Sequence, residues 1–226
     1  ANANGKRIAL VINEFGDLGV DGEILKGCGI EGCYEDDVLE LANGCICCTL
    51  REDLIVEVEK LAKLGSIDYI VIESSGISEP VPVAQTFSYG DAELAIDLSA
   101  LCRLDTMVTV VDAARFWADF SSGDTLLDRK EAAAADDVRE IADLLIDQIE
   151  FADVLVVNKL DLISAEKGEE LKAVLRRLNP DARIIGTRYS KIDPNEVLNT
   201  KRFDLERASQ SAGWIKELNE EHVPET

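Results

Sequence analysis

Basic residues are scarce in this sequence, and their shortage narrows the choice of partners. Lys and Arg number 23 against 45 Asp and Glu, which leaves a formal net charge of −22 at pH 7. Proteins bind nucleic acids mainly through Lys and Arg side chains that neutralise phosphates, and the same residues attract a chain to an anionic membrane surface. We therefore expect no nucleic-acid partner and no membrane partner.

Long apolar runs are lacking as well. No stretch approaches the ~20 consecutive apolar residues that cross a bilayer as a helix, and Ala1–Lys6 contains no apolar core of a signal peptide. These two absences favour a cytoplasmic location. Hydrophobic residues nevertheless make up 46 % of the chain, which is enough to build a buried core.

Histidine occurs once, as His222, and this excludes a zinc site built from two His and two Cys. Cysteine occurs six times, and four of the six lie between Cys33 and Cys48, both included. In a chain of this size without a secretion signal, clustered cysteines more often serve metal or redox chemistry than disulfides.

Short apolar runs alternate with segments of helical periodicity along the chain. Six runs are typical of strands: Arg7–Asn13, Val38–Ala42, Asp68–Glu73, Thr106–Asp112, Asp153–Asn158 and Ala182–Thr187. Helical spacing of apolar residues occurs in Arg51–Leu64, Arg129–Ile149 and Ala165–Leu178. This alternation predicts parallel βαβ units in a doubly wound α/β sheet. Ligands of such sheets bind beyond the carboxyl ends of the strands.

Three predicted strands run into unusual segments, which we call strand exits. The first is Asn158-Lys159-Leu160-Asp161. A carboxylate at Asp161 can accept hydrogen bonds from the ring N–H and the exocyclic amino group of guanine, a pair of donors that adenine lacks. Asn158 would tie the loop together and contact the base edge, and the stem of Lys159 would pack over the purine. The position directly after a buried strand favours guanine reading over the alternative, a polar turn.

The second exit is Glu73-Ser74-Ser75-Gly76. An acidic residue at the end of a buried strand, with Gly three positions later, is how P-loop NTPases place a carboxylate beside Mg²⁺. The Gly lets a backbone N–H approach the γ-phosphate. The alternative is a strand-to-helix turn in which Ser78 caps the helix and Pro80 opens it.

The third exit carries three thiols within four residues, Cys45, Cys47 and Cys48. Thiolates are soft ligands that favour Zn²⁺, Cu⁺ and similar ions, and three of them leave a fourth position open, which suits a site that passes metal on. Two alternatives remain: the cysteines are buried small residues, or Cys45 and Cys48 form a redox dithiol.

These motifs together resemble the CobW-like family of metallochaperone GTPases. The resemblance also includes Asn13-Glu14-Phe15-Gly16 after the first strand and Thr109-Val110-Val111-Asp112-Ala113. It implies GTP hydrolysis coupled to delivery of Zn²⁺ or Co²⁺ to a client metalloprotein. It further implies that Cys45, Cys47 and Cys48 are metal ligands with Glu14 as a candidate oxygen ligand, and that Glu73 and Gly76 face Mg²⁺ and the γ-phosphate.

The sequence departs from the family pattern in two places. It contains no G-x-x-x-x-G-K-[ST], the phosphate-binding P-loop. It also stops at Thr226, about where the resemblance implies that a smaller carboxy-terminal domain begins. We therefore expect residues 1–200 to be a P-loop GTPase domain without its amino-terminal strand and P-loop, and residues 201–226 to be a linker toward a further domain. The intact parent is expected to hydrolyse GTP, and this fragment to be inactive. The alternative is a non-hydrolysing metal-binding or thiol-sensing module on a GTPase-like scaffold.

Two weaker features keep their alternatives open. The turn Thr187–Ser190 follows the last predicted strand and either flanks the base or is a simple connector. Cys28 and Cys33 lie in a Gly-rich stretch and are either auxiliary metal ligands or part of a surface loop.

Overall fold

All six predicted strands are present in the computed structural model of the chain, and their ends agree with the prediction to within two residues. The structure describes residues 6–13, 38–41, 49–74, 76–88, 96–129, 140–210 and 215. The elements in chain order are β1 Ile8–Asn13, β2 Val38–Leu41, α1 Thr49–Lys63, β3 Tyr69–Glu73, α2 Pro80–Thr86, β4 Val108–Asp112, α3 Phe116–Phe120, α4 Ile141–Glu150, β5 Val154–Asn158, α5 Ala165–Leu178, β6 Arg183–Gly186 and α6 Leu205–Ser209. No helix in these described ranges is long and apolar enough to span a membrane.

The chain divides into two compact units. The first consists of Ala1–Ser78, Val83–Arg103 and Ala133–Ala135, and the second of Glu79–Pro82, Leu104–Ala132 and Asp136–Thr226. In the described residues each unit contains a three-stranded sheet, ordered β2-β1-β3 in the first unit and β4-β5-β6 in the second. Every strand pair is parallel.

In the first unit, β1 is the central strand of its sheet. Its residue Val11 is fully buried, as expected for a strand covered by neighbours. The register sets Ile12 of β1 opposite Glu73, the last residue of β3. Helix α1 buries Leu54 and Val58, which share one face at a spacing of four residues, so the predicted apolar face of this helix is confirmed.

In the second unit, β5 is the central strand, and its apolar residues Val154 to Val157 are all buried. Its side chains pack with Ile149 of α4 and with Leu171 and Leu175 of α5 in one core. The register sets Asp112 of β4 opposite Asn158 of β5, so two polar residues end neighbouring strands at the same edge of the sheet.

Helix α5 has the bounds that the sequence predicts. The side chain of Ser164 accepts a hydrogen bond from the Lys167 N–H and caps its start. At its end, the buried Asn179 donates through Nδ2 to the carbonyls of Ile149, Glu150 and Ala152, over 2.8, 3.0 and 2.8 Å. This side chain therefore joins the loop before β5 to the loop before β6.

The predicted helix Arg129–Ile149 is wrong at its start. Arg129 lies in a turn, where its guanidinium pairs with Asp119 and Asp124. The described helix runs over Ile141–Glu150. The spacing of apolar residues carries no information on ion pairs such as those of Arg129. The prediction therefore placed the helix start too early.

The beginning of the predicted linker is bonded to the second unit. The N–H groups of Arg202 and Phe203 donate to the Asp105 carbonyl, and Arg207 of α6 forms an ion pair of 2.5 Å with the buried Asp153. A domain boundary at residue 200 stays a prediction.

Candidate functional site

The predicted guanine-reading motif lies on a sharp turn directly after β5. Lys159 adopts a left-handed backbone conformation with a φ of 61°, which costs a non-glycine residue about 1–2 kcal/mol. The next residue, Leu160, donates its N–H to the Thr187 carbonyl over 3.3 Å and starts a short 3₁₀-helix, Leu160–Leu162. Backbone strain of this kind persists where the surroundings enforce it, and it is common at functional sites.

The Asn158 side chain ties this turn to the loop after β6. Its Nδ2 donates to the Ser190 Oγ over 2.9 Å, and its Oδ1 accepts the Ser190 N–H over 3.0 Å. Tyr189 and Ser190 are also left-handed, with φ of 53° and 52°. The loop that contains Thr187–Ser190 therefore lies against the predicted base-reading motif.

Lys159 is held by a residue that sequence reasoning did not single out as part of the site. Its Nζ lies 2.7 Å from the Asp112 Oδ2, and the Asp112 Oδ1 accepts the N–H groups of Ala114 and Arg115. Partial burial acts to raise the pKa of Asp112, but the hydrogen bonds from Lys159 and from the two backbone N–H groups outweigh it and lower that pKa. The sequence signal that could have indicated Asp112 was its position, since Asp112 and Asn158 are the last residues of two predicted strands.

Asp161 lies in the 3₁₀-helix and is exposed. In the described part of the chain its carboxylate has no hydrogen-bond or ion-pair partner. Its two oxygens can therefore bind a ligand without loss of a contact to any described residue.

Gly186, the last residue of β6, leaves room for the side chain of Leu160, which lies within the predicted base-reading motif. A Cβ built on Gly186 would lie only 2.7 Å from the Leu160 Cδ1, well inside van der Waals contact. Any larger residue at position 186 would displace Leu160, whose neighbours in the chain are Lys159 and Asp161.

The exit of β3 in the first unit leads from Glu73 to Gly76, and both residues are exposed. A Cβ built on Gly76 would meet no atom of the described residues within 4 Å. Packing against those residues therefore does not require glycine at position 76. Helix α2 opens at Pro80, as the sequence predicts for the turn that follows.

The predicted metal ligands Cys45, Cys47, Cys48 and Glu14 lie outside the described residues, as do Cys28 and Cys33. Within the residues that the structure describes, no group of three or more His, Cys, Asp or Glu could hold a metal ion. The described cysteine, Cys102, donates through Sγ to the Leu98 carbonyl over 3.3 Å. Burial raises the pKa of its thiol.

Comparison with known proteins assigns the family. The family described as CobW/HypB/UreG, nucleotide-binding domain, matches residues 1–186. This chain belongs to that family. The resemblance to CobW-like proteins that the motifs carry is thereby confirmed.

Curated relatives of the chain are similar over most or all of its length. The chain is 41 % identical over 237 residues to the zinc-regulated GTPase metalloprotein activator 1 of Dictyostelium discoideum, covering 100 % of this chain and 49 % of that protein. It is 46 % identical over 179 residues to the zinc chaperone CobW of a Sinorhizobium species, covering 76 % of this chain and 48 % of that protein. The chain spans about half the length of these relatives.

A solved structure shows the fold. The Zn(II)-bound YjiA GTPase from E. coli matches with a TM-score of 0.55 at 21 % identity, over 88 % of this chain and 63 % of that one. The predicted fold class, a doubly wound α/β fold of the P-loop GTPase type with a mainly parallel sheet, is confirmed.

Proposed function

We propose that this chain is the guanine-nucleotide-binding part of a GTPase that carries Zn²⁺, or Co²⁺, to a client metalloprotein. The observation that carries the proposal is the exit of β5, where Asn158, Lys159 and Asp161 follow a buried strand. Relatives named zinc-regulated GTPase metalloprotein activator 1 and zinc chaperone CobW support the metal cargo.

Base reading would depend on Asp161. Its exposed carboxylate can accept the ring N–H and the exocyclic amino group of guanine together, whereas adenine offers no such pair. A site built around such donors rejects a ligand that lacks them, because its polar groups are then left without partners. Asn158 holds the loop through Ser190, and the Lys159 stem would cover the purine face.

Phosphate chemistry would involve Glu73 and Gly76. The exposed Glu73 carboxylate offers oxygen ligands of the kind that Mg²⁺ prefers. Mg²⁺ would neutralise charge on the phosphates. The open space around Gly76 would let its backbone N–H approach the γ-phosphate.

Metal cargo would be held by the thiolates of Cys45, Cys47 and Cys48, with Glu14 as an oxygen ligand. The three thiolates would fill three positions of a tetrahedral ion, and the oxygen ligand Glu14 in the fourth position would be the one that a receiving protein replaces. GTP hydrolysis would change the geometry of this loop and release the ion to the client.

The test combines base selectivity with zinc binding in the full-length protein. We expect GDP to bind much more tightly than ADP, one Zn²⁺ to bind tightly, and GTP to be hydrolysed. Replacing Cys45, Cys47 and Cys48 together by Ser should abolish zinc binding, whereas the matched control Cys102→Ser should retain it. Zinc binding without guanine preference or hydrolysis would replace the proposal with the alternative, a non-hydrolysing metal-binding or thiol-sensing module.

A further inference from the structure

The ion pair between Asp112 and Lys159 lies at the edge of the second unit where the base-reading motif begins. We infer that Asp112 is a positioning residue for guanine nucleotides, which holds the Lys159 side chain where its stem covers the purine. The inference rests on the proposed function, because it assigns a partner to a residue of the proposed base site.

The position of Asp112 is fixed from two sides. Its strand pairs with β5 so that Asp112 lies opposite Asn158, and the next N–H, that of Ala113, donates to the Asn158 carbonyl over 3.0 Å. The Asp112 Oδ1 accepts the N–H groups of Ala114 and Arg115 over 2.9 and 3.2 Å. These bonds orient the carboxylate and leave Oδ2 for Lys159.

The backbone of Lys159 is fixed as well, so its side chain is the part that remains to be placed. Its φ of 61° is enforced on both sides, because Asn158 is bonded to Ser190 and Leu160 to Thr187. A free lysine side chain has four rotatable bonds and loses much conformational freedom when a ligand orders it. An ion pair that already restricts the side chain reduces this loss and preorganises the site.

The pair contributes little to folding, which makes a role in binding testable. The side chains of Lys159 and Asp112 are 49 % and 30 % exposed, and exposed pairs of this kind have weak effects. Asn at position 112 would keep an oxygen that accepts the N–H groups of Ala114 and Arg115, but it would lose the charge that holds Lys159. Asp112→Asn therefore removes the ion pair but keeps the hydrogen bonds of the turn, so the effects of the two can be told apart.

The experiment is a double-mutant cycle on the full-length protein, with binding of GDP, inosine diphosphate and ADP as readouts. The variants are Asp112→Asn, Lys159→Met and Lys159→Arg, together with Asp112→Asn combined with each Lys159 change. Lys159→Met keeps an unbranched stem of similar length and leaves the turn at Asp112 intact. The matched control is Glu57→Gln, which removes the same charge from the Lys60–Glu57 ion pair on α1.

We expect Asp112→Asn to weaken GDP and inosine diphosphate equally, by about two- to fivefold, the range that an exposed ion pair supports. The two affinities should fall by the same factor, because the Lys159 stem covers the purine ring and does not contact the exocyclic amino group in which GDP and inosine diphosphate differ. The effect should vanish in the Lys159→Met background and persist in the Lys159→Arg background. Glu57→Gln should leave both affinities unchanged.

Two outcomes would overturn the inference while the proposed function stands. One is a protein that prefers GDP over ADP but is insensitive to Asp112→Asn. The other is equal weakening by Asp112→Asn in the presence and absence of the Lys159 ammonium, which would mean that Asp112 acts only through the turn. If the unaltered protein binds ADP as tightly as GDP, the proposed function fails and this inference fails with it.

Discussion

Replacing Asp161 by Asn tests base recognition with the least disturbance of the fold. Asp161 is exposed, and its carboxylate has no partner in the described residues, so the change removes no contact to them. We therefore expect the free energy of unfolding to change by no more than about 0.5 kcal/mol, as for other surface substitutions.

The loss in binding follows from the two hydrogen bonds that Asp161 would make to guanine. Hydrogen bonds to a charged group contribute about 1.5–3 kcal/mol each, and the lower value suits an exposed carboxylate. Asn keeps an oxygen that can accept the ring N–H, but its NH2 group would then face the exocyclic amino group of guanine. One hydrogen bond is therefore lost, and the other no longer involves a charged group. Together these changes should cost about 3 kcal/mol, or about 100-fold in GTP affinity. Xanthosine triphosphate should become the preferred ligand, because the Asn amide can donate to its additional carbonyl and still accept its ring N–H.

The assay is competitive binding of GTP, ATP and xanthosine triphosphate to the full-length protein and its Asp161→Asn variant. Asp181→Asn is a matched control, because Asp181 is another exposed carboxylate, located in the loop between α5 and β6. An Asp161→Asn protein that keeps its preference for GTP would show that Asn158–Asp161 is only a turn, and base reading would have to be sought elsewhere.

Three further substitutions test individual features. Gly76→Ala should leave the melting temperature unchanged, because the added Cβ meets no atom of the described residues within 4 Å, but should lower kcat for GTP hydrolysis at least about tenfold if the γ-phosphate approaches there. Gly186→Ala should lower the free energy of unfolding by no more than about 1 kcal/mol, as measured in urea, because the atom it meets, the Leu160 Cδ1, is the end of a side chain that can move. Asn179→Ala should cost about 2–3 kcal/mol, because it removes the side-chain donor to three carbonyls, of which, among the described residues, only that of Ile149 keeps another donor, the Ala152 N–H. Asn179→Asp, which keeps only the acceptor, should also destabilise the protein.

The sequence was sufficient to predict the elements whose signals are local. The continuous apolar run of β5 predicts a strand covered on both faces, and Val154 to Val157 are indeed buried. Helix α5 begins after a capping Ser164 and ends before Asn179-Pro180, and both signals lie within a few residues of the boundary they mark. The strand ends at Glu73 and Asn158 could be located for the same reason, whereas the cysteine segment after β2 lies outside the described residues and stays a prediction.

Features that depend on pairing between distant parts of the chain could not be predicted in this way. Asp112 and Lys159 are 47 residues apart in sequence, and only the parallel register of β4 and β5 brings them together. The early start predicted for α4 failed for a different reason, which is local: Arg129 lies in a turn and pairs with Asp119 and Asp124, and Glu140, directly before the helix, pairs with Thr125.

The backbone conformation around the predicted base site indicates how much this site must change when a ligand binds. Lys159, Tyr189 and Ser190 are all left-handed without being glycine, at a cost of about 1–2 kcal/mol each. Such strain persists only where neighbouring contacts enforce it, and here the two Asn158–Ser190 hydrogen bonds and the Leu160–Thr187 hydrogen bond do so. A loop already held in an unfavourable conformation has little conformational freedom left to lose, so a guanine base should bind to this edge of the sheet largely as it stands.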